Sequence, residues 1–195
     1  MENNKENLCY AMRHLYKKSL ISLRDGNVSF RKKNSNSFLI TPGGIKKDNI
    51  KENQIIDVEL KTKYPYYLPL NNNFLNVSRE IGFHSRILKD EQDDCFIVHC
   101  HPKNTIAFMG LIENNELNNV KKIFPEIQVE IGKNVLELKA GSDELANDVY
   151  KNINNVDIVG LKNHGVVSKG KTISKALENV ETIEYYCEIM NISKY

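Results

Sequence analysis

The chain has 195 residues, 41% hydrophobic and 27% charged, a balance that excludes a chain disordered throughout. Its 27 basic and 25 acidic residues leave a net charge of +2, which argues against a dedicated nucleic-acid binder. No apolar run approaches the roughly 18 residues of a membrane span.

The length fits one domain over residues 1–195. The four cysteines are scattered and form no C-x-x-C pair. The opening Met-Glu-Asn-Asn-Lys-Glu lacks the basic-then-apolar pattern of a signal peptide, so reduced thiols and a cytoplasmic location are expected.

Residues 5–20 place Leu8, Met12, Leu15 and Leu20 near the helical period and predict a helix. Two β-rich runs, 27–30 and 37–41, flank a basic polar turn and predict a hairpin, and 55–60 predicts another strand. The Tyr-, Pro- and Asn-rich stretch 61–76 reads as loop. Residues 79–89 fit a helix with Ser78 as its N-cap. The run 95–100 is continuously β-favouring and stops before Pro102, and 103–111 fits a helix. Short strands are expected at 128–131 and 135–138.

Ser142, followed by Asp143 and Glu144, predicts the start of a helix running to about residue 153. Strands at 156–161 and 166–168 flank Asn163-His164-Gly165. Ile173, Ala176, Leu177, Val180, Ile183, Cys187 and Met190 form one apolar stripe of a final helix. Short strands interspersed with helices point to an α+β or three-layer α/β domain.

Two of the five histidines lie in Val98-His99-Cys100-His101-Pro102. On a strand, residues i and i+2 share a face, so both imidazoles point one way and Cys100 the other. Two imidazoles at a strand end supply most of a three-ligand catalytic metal site; the same pattern also fits a polar strand end. His164, on its turn, is a candidate third ligand or a surface residue. Glu80 and His84 are four apart and share a helix face, which fits an acid/base beside a metal or a solvated face. His14 reads as a packing or surface residue.

In this order the motifs resemble the class II aldolase/adducin family. Gly26-Asn27-Val28-Ser29 is similar to its G-N-x-S, and Thr41-Pro42-Gly43-Gly44-Ile45 to its T-P-[ST]-G-[IV]. Ser78-Arg79-Glu80 with His84 is similar to its S-[S/x]-E-x-x-x-H, and the His99–His101 segment to its V-H-x-H-P. Ala140-Gly141-Ser142-Asp143-Glu144-Leu145-Ala146 and Leu161-Lys162-Asn163-His164-Gly165 resemble A-G-S-x-E-L-A and L-x-N-H-G.

The resemblance implies a single three-layer α/β/α domain with a central, largely antiparallel sheet. It implies His99, His101 and His164 as ligands of Zn2+ or another divalent ion, one per subunit, and Glu80 as the catalytic group that moves a proton. Gly26, Asn27, Thr41, Gly43, Gly44, Ser78 and Arg79 are the implied substrate and phosphate site. There Gly43 and Arg79 depart from the hydroxyl residues of the pattern: two neutral donors are lost and one guanidinium is gained, facing either the anion or solvent.

The implied activity is a lyase that cleaves a phosphorylated ketose to dihydroxyacetone phosphate and an aldehyde through a metal-stabilised enediolate. A sugar-phosphate dehydratase, an epimerase, a decarboxylase of an oxo-acid sugar phosphate and a non-catalytic adducin-like module are the alternatives. The partner would be a small phosphorylated sugar, with no nucleic acid or membrane, and the assembly a homotetramer.

Overall fold

A computed structural model describes residues 3–63, 67–70, 76–110 and 116–193. Helix α1 (Asn4–Lys17) is capped by Asn3, whose side chain accepts the Glu6 N–H, and it buries Leu8, Met12 and Leu15. Strands β1 (Asn27–Arg31), β2 (Ser37–Ile40) and β3 (Ile56–Leu60) follow as expected. Strand β4 (Tyr67–Pro69) lies where a loop was expected; the rest of that expectation lies partly outside the described residues, at 64–66 and 71–75. Its pairing with β3 supplies what the Pro-containing sequence does not advertise: an edge position, where a residue without an N–H is tolerated.

Helix α2 (Ile81–Asp90) begins after Glu80, which is its N-cap residue without a side-chain cap bond. Ser78 therefore is not the cap; its hydroxyl accepts the Glu80 N–H at 3.3 Å. Strand β5 (Cys95–Cys100) and helix α3 (Lys103–Gly110) agree with the sequence, Leu111 falling outside the described residues. A short helix α4 (Asn119–Ile123) was not foreseen.

The expected strands at 128–131 and 135–138 are absent. Ile131 and Val135 make only isolated parallel bridges, to Ile158 and Leu161. Gly132 interrupts the run, and a Cβ there would lie 2.5 Å from the Asn152 carbonyl oxygen. Helix α5 (Asp143–Ile153) is capped by Ser142, whose hydroxyl accepts the Leu145 N–H at 3.1 Å. Strands β6 (Ile158–Leu161) and β7 (Gly165–Gly170) form a hairpin, and helix α6 (Ile173–Ile192) closes the described chain.

The seven strands among the described residues form one sheet in the order β4-β3-β2-β1-β5-β7-β6, every neighbouring pair antiparallel. One face presents Val28, Phe30, Phe96, Val98, Cys100 and Val166 to a core shared with α1, α3 and α6. The other presents Phe38, Ile40, Val58, Ile97, Val159 and Val167 to a core shared with α2 and α5. This is the three-layer α/β/α architecture, and each fully buried large side chain contributes about 1.5–3 kcal/mol.

Two polar ties set the helix positions. Arg86 of α2 is buried and donates to Asn147 and Asp143, locking α2 onto α5. Glu184 of α6 accepts the backbone N–H groups of Asn104 and Thr105, at 3.0 and 2.8 Å, and so caps α3. All four cysteines are buried thiols. Among the described residues, no helix is long and apolar enough to cross a membrane.

Candidate metal centre

His99 lies in β5, with Asn27 of β1 and Val167 of β7 as its cross-strand partners. Its ring is fully buried, and Nδ1 lies 2.9 Å from the Val166 carbonyl oxygen. A carbonyl only accepts, so Nδ1 carries a proton, which fixes the ring's orientation and turns Nε2 toward the cluster. His101 lies one residue past β5, so the pleat alone does not aim it. Its backbone N–H donates to Leu20 at 2.8 Å, and its Nε2 lies 3.1 Å from that of His99.

His164 arrives from the β6–β7 turn. Asn163 takes a left-handed conformation, φ +56°, which Asn tolerates better than most residues. Gly165 then passes against β5, where a Cβ would stand 2.2 Å from the Cys100 carbonyl oxygen. One ligand atom from each of the three histidines lies within 4.8 Å of the others.

Glu80 completes the cluster from the start of α2. Its Oε2 lies 3.1 Å from His99 Nε2 and accepts from Asn27 Nδ2 at 2.8 Å. Its Oε1 lies 3.2 Å from His164 Nε2, yet it is buried without a hydrogen bond of good geometry. Burial alone would raise the Glu80 carboxyl. The charge of His99, the close approach of the His164 and His99 nitrogens and the bond from Asn27 outweigh it and hold the group well below the usual range. Burial, with His99 and His164 nearby, pushes His101 down to about 4, so its ring is neutral near pH 7.

Three convergent imidazole nitrogens, one on a ring oriented by its Nδ1 bond to Val166, and an ionised carboxylate with an unsatisfied buried oxygen fit a divalent ion. They form a three-histidine cluster that could hold a metal.

The cluster opens into a cavity of about 450 Å3 that reaches Gly26, Gly43, Gly44, Ser78, Arg79 and His164. Gly43 lies against the 76–78 segment: its N–H donates to Asn76, and a Cβ would stand 3.3 Å from Ser78 Cα. Arg79 is exposed at the rim, backed by Gly141 at φ +78°. Asn27 reaches the cavity, but its amide is committed to Glu80 and His84. Thr41 is fully buried, and its hydroxyl accepts the Val28 N–H at 3.0 Å, so it ties β1 to the loop and does not line the cavity.

Two residues here were missed by the sequence reading. Arg24 lines the cavity and donates to the Gly44 carbonyl; its position two residues before Gly26 was the available clue. Lys47 is fully buried and donates to the Pro42 carbonyl beneath the same loop. One of a Lys-Lys pair, it reads as surface in a sequence.

A larger cavity, about 650 Å3, lies at the other end of β5, by Cys95 and Gly170. Its Lys169 and Lys171 are paired with Glu91 and Asp93, and among the described residues no cluster of metal-ligating groups reaches it.

Residues 6–191 match the family described as Class II Aldolase and Adducin N-terminal domain. The chain is 29% identical over 177 residues to an L-fuculose phosphate aldolase of Methanococcus maripaludis, covering 90% of this chain and 88% of that protein. It is 28% identical over 188 residues to a methylthioribulose-1-phosphate dehydratase of Sulfurihydrogenibium, covering 90% and 83%. A solved L-fuculose 1-phosphate aldolase superposes with a TM-score of 0.81 at 22% identity, covering all of this chain and 88% of that one. With the match spanning nearly every described element, the chain belongs to the class II aldolase and adducin family.

Proposed function

We propose that the protein is a divalent-metal lyase cleaving a phosphorylated ketose to dihydroxyacetone phosphate and an aldehyde. The observation that carries this is Glu80, ionised and seated across two of three convergent histidines at the floor of a glycine-lined cavity. His99, His101 and His164 would hold zinc or another divalent ion. Bound there, such an ion supplies a Lewis acid for the negative charge that develops on the substrate oxygens.

The protein groups handle position and protons. Cleavage removes a proton from the hydroxyl that becomes the aldehyde and returns one to the carbon left behind. A carboxylate that starts ionised can accept the first, deliver it, and end ionised. Glu80 is the group within reach. Gly43 and Gly44 leave room for a phosphate to approach backbone, and the guanidiniums of Arg24 and Arg79 stand at the same cavity.

A dehydratase is the second reading, favoured by the 28% identical relative of that name. Elimination of water also needs one carboxylate that takes a carbon-bound proton and returns a proton to the leaving hydroxyl. Incubating the protein, loaded with Zn2+, with L-fuculose 1-phosphate and with methylthioribulose 1-phosphate separates the two. Release of dihydroxyacetone phosphate supports the aldolase; dehydration without it supports the second. Inertness toward both, with metal bound, would overturn both. A homotetrameric assembly and a cytoplasmic location belong to the same reading, and sedimentation of the purified protein tests the former.

A further inference from the structure

Behind Glu80 runs a hydrogen-bond chain that ends away from the cavity. Ser29 Oγ lies 2.6 Å from His84 Nδ1, His84 Nε2 lies 2.5 Å from Asn27 Oδ1, and Asn27 Nδ2 donates to Glu80 Oε2 at 2.8 Å. His84 and Ser29 are fully buried and Asn27 nearly so. Phe83 stacks on the His84 ring at 4.6 Å. The residues come from β1 and α2, on the same side of the sheet as His99.

The polarity of this chain is determined. A carboxylate oxygen only accepts, so Asn27 must present its NH2 to Glu80 and its Oδ1 to His84. Oδ1 also only accepts, so His84 Nε2 must carry the proton. His84 Nδ1 is then an acceptor, and the Ser29 hydroxyl must donate to it. Reversing any link would set two acceptors against each other in a buried place. Burial and the nearby charge of His99 push His84 down to about 3, which agrees with a neutral ring.

We propose that His84 is a positioning residue for the proton-transfer step: it fixes the Asn27 amide so that one oxygen of Glu80 stays anchored by a group that is not one of the three cluster histidines. Glu80 otherwise contacts only ring nitrogens of that cluster and has one oxygen without a good partner. The Asn27 bond gives the carboxylate a pivot about which it can leave the cluster histidines and turn toward substrate. Without the Nε2–H donor, Asn27 Oδ1 loses its buried partner, and the amide is held at one end only, by the carboxylate it has to position. This rests on the assignment of Glu80 as the proton-transfer group.

The test compares His84→Gln, which keeps a donor near the position of Nε2, with His84→Leu, which removes it. Expected for His84→Leu is a kcat lower by about 10- to 100-fold, the scale of one charge-assisted hydrogen bond, with KM and bound metal unchanged. His84→Gln should stay within about threefold of wild type. Wild-type kcat in His84→Leu would overturn the proposal, and so would equal loss in both variants.

A second measurement covers a variant that fails to fold. Nitrogen-15 NMR of the metal-free wild-type protein should show His84 as the Nε2–H tautomer; an Nδ1–H tautomer would refute the chain. That readout uses no turnover. If Glu80→Gln retains full activity, the assignment of Glu80 fails while the tautomer result still stands or falls by itself.

Discussion

Gly165 runs so close to β5 that a Cβ on it would meet the Cys100 carbonyl oxygen at 2.2 Å and His101 Cδ2 at 2.9 Å. The turn that carries His164 is therefore seated directly on the strand that carries His99. A carbonyl fixed in a ladder cannot move aside, so any side chain here must push the hairpin away. Gly165→Ala should lower divalent-ion affinity by about 10- to 100-fold, as displaced ligands do. Titration with Zn2+ against a competing chelator reads the effect, and unchanged affinity would contradict the seating described.

Glu80→Gln keeps the size of the side chain and its bond from Asn27 but removes the charge. The expected loss in kcat is about 100- to 10,000-fold, the range for a positioned acid/base. Metal content should stay near one ion per chain. Replacing His99, His101 or His164 with Ala should instead abolish stoichiometric binding. Equal metal loss in all four variants would make Glu80 a ligand first and a proton carrier second.

Lys47 gives a pH dependence with a definite sign. Burial lowers its ammonium from 10.5 to about 8, with Asp25 opposing. Between those values the unfolded chain still holds a proton that the folded chain has released. By linkage this group makes stability rise with pH across that window. Below about pH 8 its charge costs the fold about 3 kcal/mol. Lys47→Met should therefore be more stable than wild type at pH 7, less the hydrogen bond lost at Pro42, and the gap should shrink toward pH 10.5. Urea unfolding across that range measures it; a gap that does not change with pH would show that Lys47 is not held in the way described.

Arg79 and Arg24 divide the rim of the cavity between them. Arg24 is tied to the Gly44 carbonyl, whereas Arg79 is exposed beside Gly141. Arg79→Ala should raise KM for a phosphorylated sugar more than tenfold with little change in folding stability, because an arginine–phosphate pair is charge-assisted. Arg24→Ala should raise KM and also loosen the 41–44 loop, visible as faster amide exchange at Gly44. An unchanged KM in Arg79→Ala would place that guanidinium in solvent.

The strand and helix order was largely legible because apolar period and burial agree. Cys95–Cys100 is buried throughout and reads as one run, and the α6 stripe faces the core as its spacing requires. The i, i+2 rule put two histidines on one side. His101, however, stands beyond the strand and is held by Leu20, a contact no local pattern reveals.

Other features depended on tertiary partners. Thr41 carries a motif hydroxyl, but sequence does not say which way it faces, and it faces β1. Ser78 has the chemistry of a cap, yet the first helical residue comes three positions later. Ile131 and Val135 favour strand locally but find only single bridges at the sheet margin. Lys47 and Arg86 are buried cations, and a charged residue reads as exposed until its partner is seen.

The sheet order also bears on how the protein folds. Asn27 meets Glu80 across 53 residues, Ser29 meets His84 across 55, and His99 meets Val166 across 67. Contacts of such long range form late and slow the search, because each closes a large loop before it is rewarded. No fragment of this chain lacking β1, α2, β5 or the β6–β7 hairpin contains the full set of converging groups. Metal capture is thus expected to report completed folding rather than to seed it, and refolding followed by a bound-metal signal should show no phase ahead of sheet formation.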